Sequence, residues 1–236
     1  RDRSRKPSKR ANVSNLRSYL LACAVIATAA GPAHAGSAPD VLVEAATVCT
    51  THGVSEDLVR AQLGSLGWKP IAGDMLSDWH LRLFASPFLA NAAYDQAHAP
   101  TWKQAWKDGF VKSRRSFVRS KHQSTSGTAA FFELPEWQAV LQLGTRALPT
   151  RAQLFCTVAI ADDPVNERET VPNPIQKHLQ PADALTLFLS VDRQKAGGST
   201  GMTGVNLNQS AISPEIGGAM PADAFISTYV NVTREI

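Results

Sequence analysis

The hydrophobic period of this chain changes once, near residue 125, and that change limits the folds open to it. Before it, apolar residues recur at three- and four-residue spacing, as they do in helices packed by one face. After it come short runs of β-branched and aromatic residues, separated by clusters of Pro, Gly, Asp and Asn. Helices first and strands second predict an α+β fold. A helical part over about 38–122 packs on an antiparallel β-sheet formed over about 128–234.

Four helices are expected. "APDVLVEAATVCTTHG" sets Val41, Ala45, Val48 and Cys49 on one face and stops at Gly53. Ser55 is the expected N-cap of the next helix, with Glu56 and Asp57 in its first turn and Leu58, Gln62, Leu63 and Leu66 along its inner face. "DMLSDWHLRLFASPFLANAAYDQAH" is a third, expected to break at Pro87. In the fourth, residues 101–122, Trp102, Trp106 and Phe110 share a face, with Phe117 two turns on. Lys103, Lys107, Lys112, Arg114, Arg115, Arg119 and Lys121 cover the remainder.

Five strands are expected at "TAAFFEL", "WQAVLQLG", "LFCTVAI", "ALTLFLSV" and "AFISTYVNV". The glycine-rich stretch 197–210 between the last two reads as a hairpin loop or flap and as a candidate pocket wall.

The first 35 residues carry a basic segment, a 12-residue apolar run "YLLACAVIATAA" and the small-residue site Ala33-His34-Ala35. That order is a secretory signal peptide. Cleavage after Ala35 leaves a mature domain over 36–236, in the periplasm or secreted. "LLAC" offers a lipobox reading with a lipid on Cys23, but the apolar run continues well past that cysteine. The leader holds seven basic residues and one acid. The remainder therefore has 24 − 7 = 17 basic against 20 − 1 = 19 acidic residues, a net of −2. The basic balance of the whole chain is thus no nucleic-acid footprint, and no transmembrane segment is expected in the mature part.

Two cysteines remain after cleavage, Cys49 and Cys156. In an oxidising compartment they are expected to pair, joining an N-terminal helix to a strand. The rival chemistries are a redox pair, which usually has C-x-x-C spacing, and a zinc site begun by Cys49 and His52, for which His80, His98, His122 and His178 are too scattered. Neither a metal nor a cofactor is expected.

No segment carries a nucleophile elbow or a phosphate loop. Acid–histidine sets can be drawn from His80 or His178 with Asp74, Asp78 or Asp183, and Asp74 with Asp78 would share one helix face. "ADDP", 161–164, reads as a turn. Trp68, Trp102 and Trp106 are the candidate ligand contacts. Lys103, Lys107, Arg114 and Arg115 are the candidate contacts to an anionic surface. The layout resembles that of small exported proteins of Gram-negative bacteria. The expectation is a non-catalytic binding or interaction module of the cell envelope, with a small ligand or an envelope protein as partner. The alternatives are a small cofactor-independent hydrolase, and a protein that uses helix 101–122 on lipid or glycan.

Overall fold

The computed structural model describes residues 40–71, 75–94, 102–121, 129–163, 165, 168, 185–208, 210 and 222–233. At 89–94, 102–103 and 116–121 it describes the backbone alone. The expected leader 1–35 with Cys23, and His98, His122, His178, Asp74 and Asp183, lie outside the described residues.

The elements run α1 (Val41–Thr51), α2 (Glu56–Ser65), β1 (Lys69–Pro70), α3 (Asp78–Tyr94), α4 (Trp102–Lys121), β2 (Ala129–Leu134), β3 (Ala139–Ala147), β4 (Arg151–Ile160), β5 (Leu185–Lys195), β6 (Gly198–Leu207) and β7 (Ala224–Thr233). The seven strands make one sheet in the order β1-β2-β3-β4-β7-β6-β5. Every pairing is antiparallel, so the fold is α+β with helices before the sheet. β7 inserts between β4 and β6, and β5 forms the far edge.

The helices divide between the two faces of the sheet, an arrangement that helical periodicity does not reveal. On one face, α1 and α2 bury Leu42, Ala46, Val59 and Leu63 against Leu141, Leu154, Val158 and Ile226. On the other, α3 buries Leu83 and Phe84 against Phe131, Val140, Ala159 and Phe225. A sheet covered on both sides loses the alternation of a half-exposed sheet. Hence Val158, Ala159 and Ile160 are buried in succession, as are Ala139, Val140 and Leu141.

The expected disulfide is present. Cys49 of α1 and Cys156 of β4 are bonded, with Cα atoms 6.2 Å apart, on the α1/α2 face. No helix among the described residues is long and apolar enough to cross a membrane.

Four local expectations are corrected. The inner face of α2 is Val59 and Leu63, while Leu58 is exposed: the apolar stripe lies one residue further round than the leucines alone indicate. Ser55 holds the N-cap position of α2 but makes no side-chain cap bond, whereas Asp40 caps α1 by accepting from the Val43 amide at 3.3 Å. Helix α3 runs through Pro87. Proline removes one helical hydrogen bond, but burial of Leu81 and of the stretch from Leu83 to Pro87 holds this helix against the sheet. The glycine-rich stretch is not a flap. After a turn at Ala196 and Gly197, Gly198–Leu207 is the strand β6, its glycines lying where neighbouring groups leave no room for a side chain.

One buried ion cluster closes the α1 end. The Arg168 guanidinium donates to Asp40 at 2.8 and 3.0 Å and to both oxygens of Asp163, and lies 4.6 Å from the centroid of the Phe188 ring. Burial opposes the Arg168 charge, but bonding and attraction to the two carboxylates outweigh it and hold its pKa above the ordinary value.

Candidate functional site

The α3 face of the sheet is apolar only under α3. The register then carries successive polar rows across the strands. Gln142 of β3 pairs with Thr157 of β4, Thr157 with Ser227 of β7, and Ser227 with Thr203 of β6. Two residues along, Gly144, Phe155, Tyr229, Gly201 and Asp192 make the next row, and Arg146, Gln153, Asn231, Ser199 and Gln194 the one after. Strand residues two apart point to the same side, so all three rows face the same way as Val140 and Phe225.

The rows are internally bonded. Gln153 donates to Asn231 at 3.0 Å, and Asn231 donates to Ser199 at 3.0 Å. The Tyr229 hydroxyl donates to Asp192 at 3.3 Å. Removal from water and the negative charge of Asp192 raise the pKa of that phenol. Phe155 lies over Gly144 and Tyr229 over Gly201, each ring where a Cβ would otherwise stand. A side chain at either position would have to displace the ring tip, so glycine is what lays the rings across the neighbouring strand.

Above the first two rows is a groove of about 510 Å³. Its floor is Gln142, Thr157, Ser227 and the Phe155 ring. Phe84, Pro87 and Phe88 of α3 form an apolar wall. Lys112 and Arg115 of α4 and Arg146 of β3 supply three cations, and no acidic residue is among the described residues lining it. Two cations sit against rings: Lys112 Nζ is 5.1 Å from the Phe88 centroid and the Arg146 guanidinium 4.8 Å from that of Phe155. Helix α4 reaches this position because Gly109 and Ser113 are the buried ones among its described residues. A Cβ on Gly109 would lie 2.9 Å from Phe88 Cβ, so only glycine lets α4 come this close to α3.

The sequence-predicted residues are dispersed. Trp68 is buried in the α1/α2-face core, and Trp106 packs part-buried against the opposite core. The two therefore form no common site, and the Trp102 side chain lies outside the described residues. Lys107 and Arg114 are exposed on α4, and the Lys103 side chain is outside the described residues. Only Arg115 of the expected anionic-surface set lines the groove. Cys49 is consumed by the disulfide and His52 meets Gln62, so the C-x-x-H spacing brings no metal pair together. The "ADDP" turn supplies Asp163 to the Arg168 cluster.

His80 has a defined setting. Its Nδ1 accepts from the Ser77 amide at 3.0 Å and lies 2.8 Å from the Ser77 hydroxyl. Its Nε2 is 3.1 Å from Glu133 Oε2. The His80 amide in turn donates to Ser77 Oγ at 3.4 Å. This is the reciprocal bonding of a capping box at the start of α3, with histidine in the place usually held by Glu or Gln.

Sequence reasoning missed Gln142, Arg146, Phe155, Thr157 and Ser227. The polar residues set within the apolar runs "AVLQLG", "FCTVAI" and "FISTYV" were the available signal for Gln142, Thr157 and Ser227, while Arg146 lies beyond these runs. Their convergence depends on register, which no single strand displays. Comparison of the chain with protein-family models, with curated proteins and with solved structures finds no match.

Proposed function

We propose that this chain is an exported, non-catalytic binding module of the cell envelope, periplasmic or secreted after removal of residues 1–35, and that its ligand seats in the groove between α3, α4 and the sheet. The observation that carries this reading is the groove itself. Its volume of about 510 Å³ falls in the range of small-molecule sites, and it joins an apolar wall to a few convergent polar groups. The Cys49–Cys156 bond supports export, because such bonds persist in oxidising compartments. Intact mass of the protein recovered from an expressing Gram-negative cell tests the export reading. A chain starting after Ala35, two hydrogens short and lipid-free, is the expected product. A chain starting at a lipidated Cys23 replaces it with a tethered one. Ligand binding without turnover raises thermal stability, and that rise is the test of the binding reading.

A second reading rests on Ser77, His80 and Glu133, whose contacts follow the order hydroxyl, imidazole, carboxylate of a hydrolase triad. The bonding favours the cap, since Nδ1 accepts from the backbone amide of Ser77 as well as facing its hydroxyl. Ser77→Ala separates the two. A cap predicts a stability loss of about 1 kcal/mol. A hydrolase predicts turnover of a p-nitrophenyl ester that the substitution abolishes at unchanged melting temperature.

A further inference from the structure

The geometry points to an amphipathic monoanion as the occupant of the groove: a small molecule with one carboxylate, sulfonate or phosphate-type head on an apolar, ring-sized or chain-like body. This rests on the groove being the ligand site, and adds the chemistry of what enters it.

Three observations converge. First, the sign of the charge is local. Residues 36–236 carry 17 basic and 19 acidic residues, yet the groove is lined by Lys112, Arg115 and Arg146 and by no described acid. A concave site lined by one sign of charge concentrates the opposite ion.

Second, the cations and the apolar surface are contiguous. Lys112 lies over the Phe88 ring and Arg146 over the Phe155 ring, and both rings line the groove. An anion held between Arg115 and Arg146 therefore has aromatic surface directly beside it. A bare inorganic ion would leave the phenyl faces unused, and a neutral apolar molecule would leave the guanidinium groups without partners.

Third, the floor is polar in a narrow strip. Gln142, Thr157 and Ser227 stand in one row between the apolar core and the rings. They offer an amide and two hydroxyls to one hydroxyl, amide or ether on the body of the ligand.

The occupant is a free molecule rather than a membrane surface. Lys112 and Arg115 line a concave cavity, while Lys107 and Arg114 lie about 80° to 160° from them around α4 at its regular pitch. The cations are thus not gathered on one flat face.

The test uses two dyes of the same ring system on the full chain as recovered from the expressing cell. 1-Anilinonaphthalene-8-sulfonate carries the anion, and N-phenyl-1-naphthylamine lacks it. The expected result is one sulfonate bound per chain, about tenfold tighter than the neutral dye, and displaced by decanoate but not by decanol. Arg115→Met with Arg146→Met keeps the aliphatic bulk, and is expected to lower sulfonate affinity about tenfold while leaving the neutral dye and the melting temperature unchanged. Phe155→Leu is expected to weaken both dyes. If both dyes bind alike, Phe155→Leu weakens both and the double methionine variant affects neither, the groove remains a ligand site and the anion assignment is overturned. If no variant alters either dye, or neither dye binds, the groove is no ligand site and both readings fall. Salt-reversible capture on phosphatidylglycerol vesicles that the double variant abolishes, without decanoate competition, overturns the free ligand in favour of a membrane surface.

Discussion

The two faces of the central sheet are built from the same strands and solve different problems. On the α1/α2 side β2 to β7 contribute apolar residues, the helices seal them, and the Cys49–Cys156 bond fixes α1 to β4. On the α3/α4 side the apolar core stops at Val140, Ala159 and Phe225, and the rows beyond are polar, aromatic and partly open. Adjacent residues on one strand serve both: Cys156 and Val158 belong to the sealed face, Phe155 and Thr157 to the groove. A strand needs only its period of two to carry stability on one side and recognition on the other.

That comparison makes the sealed side the place where substitutions should unfold the protein. The largest effect is expected for Cys49→Ala with Cys156→Ala. Opening a loop of 107 residues costs about 4 to 5 kcal/mol in the chain-entropy model, measured as a lower urea midpoint. A loss below 1 kcal/mol would show that packing of α1, not the bond, holds this face. Next is Arg168→Met, which leaves Asp40 and Asp163 without their shared cation and is expected to cost about 3 kcal/mol in the same assay.

A smaller effect of opposite sign tests the same face. Thr228 lies opposite Cys156 with its hydroxyl buried and without a hydrogen-bond partner among the described residues. Thr228→Val keeps the shape and removes that burden, so a gain of about 1 kcal/mol is expected. A loss would reveal a partner for the hydroxyl.

The smallest effect belongs to the open face. The Tyr229 phenol has its pKa raised above 10.0 by loss of water and by Asp192. A raised folded-state pKa gives stability that is present below the unfolded value and lost as pH climbs through the folded one. The melting temperature is therefore expected to fall above pH 10, and to fall less in Tyr229→Phe. Identical profiles would show that Asp192 does not act on the phenol.

Legibility in the sequence followed the same division. The α+β order, the five longer-patterned strands and the cysteine pair were readable, because each depends on local period or on a count. The division of helices between faces was not, since an amphipathic helix records that it packs and not on which side. β6 was misread because its glycines look like a loop until the rings of Phe188 and Tyr229 are seen to occupy their Cβ space. Arg168 was invisible in a proline-rich connection, its partners lying 5 and 128 residues away. Of the groove, only the basic residues of α4 were in view, and Trp68 and Trp106 drew attention that the fold gives to the core.

The bond between residues 49 and 156 also makes the chain a covalent ring with a tail on each side. The ring encloses α2, α3, α4 and β1 to β3, and so both helices of the groove; the C-terminal tail holds β5 to β7. A single protease cut anywhere inside the ring opens it without dividing the molecule, and the groove's walls stay attached to one another. A single cut in the tail beyond Cys156 releases a piece. The same crosslink that stabilises one face thus makes the helical walls of the other tolerant of one break inside the ring.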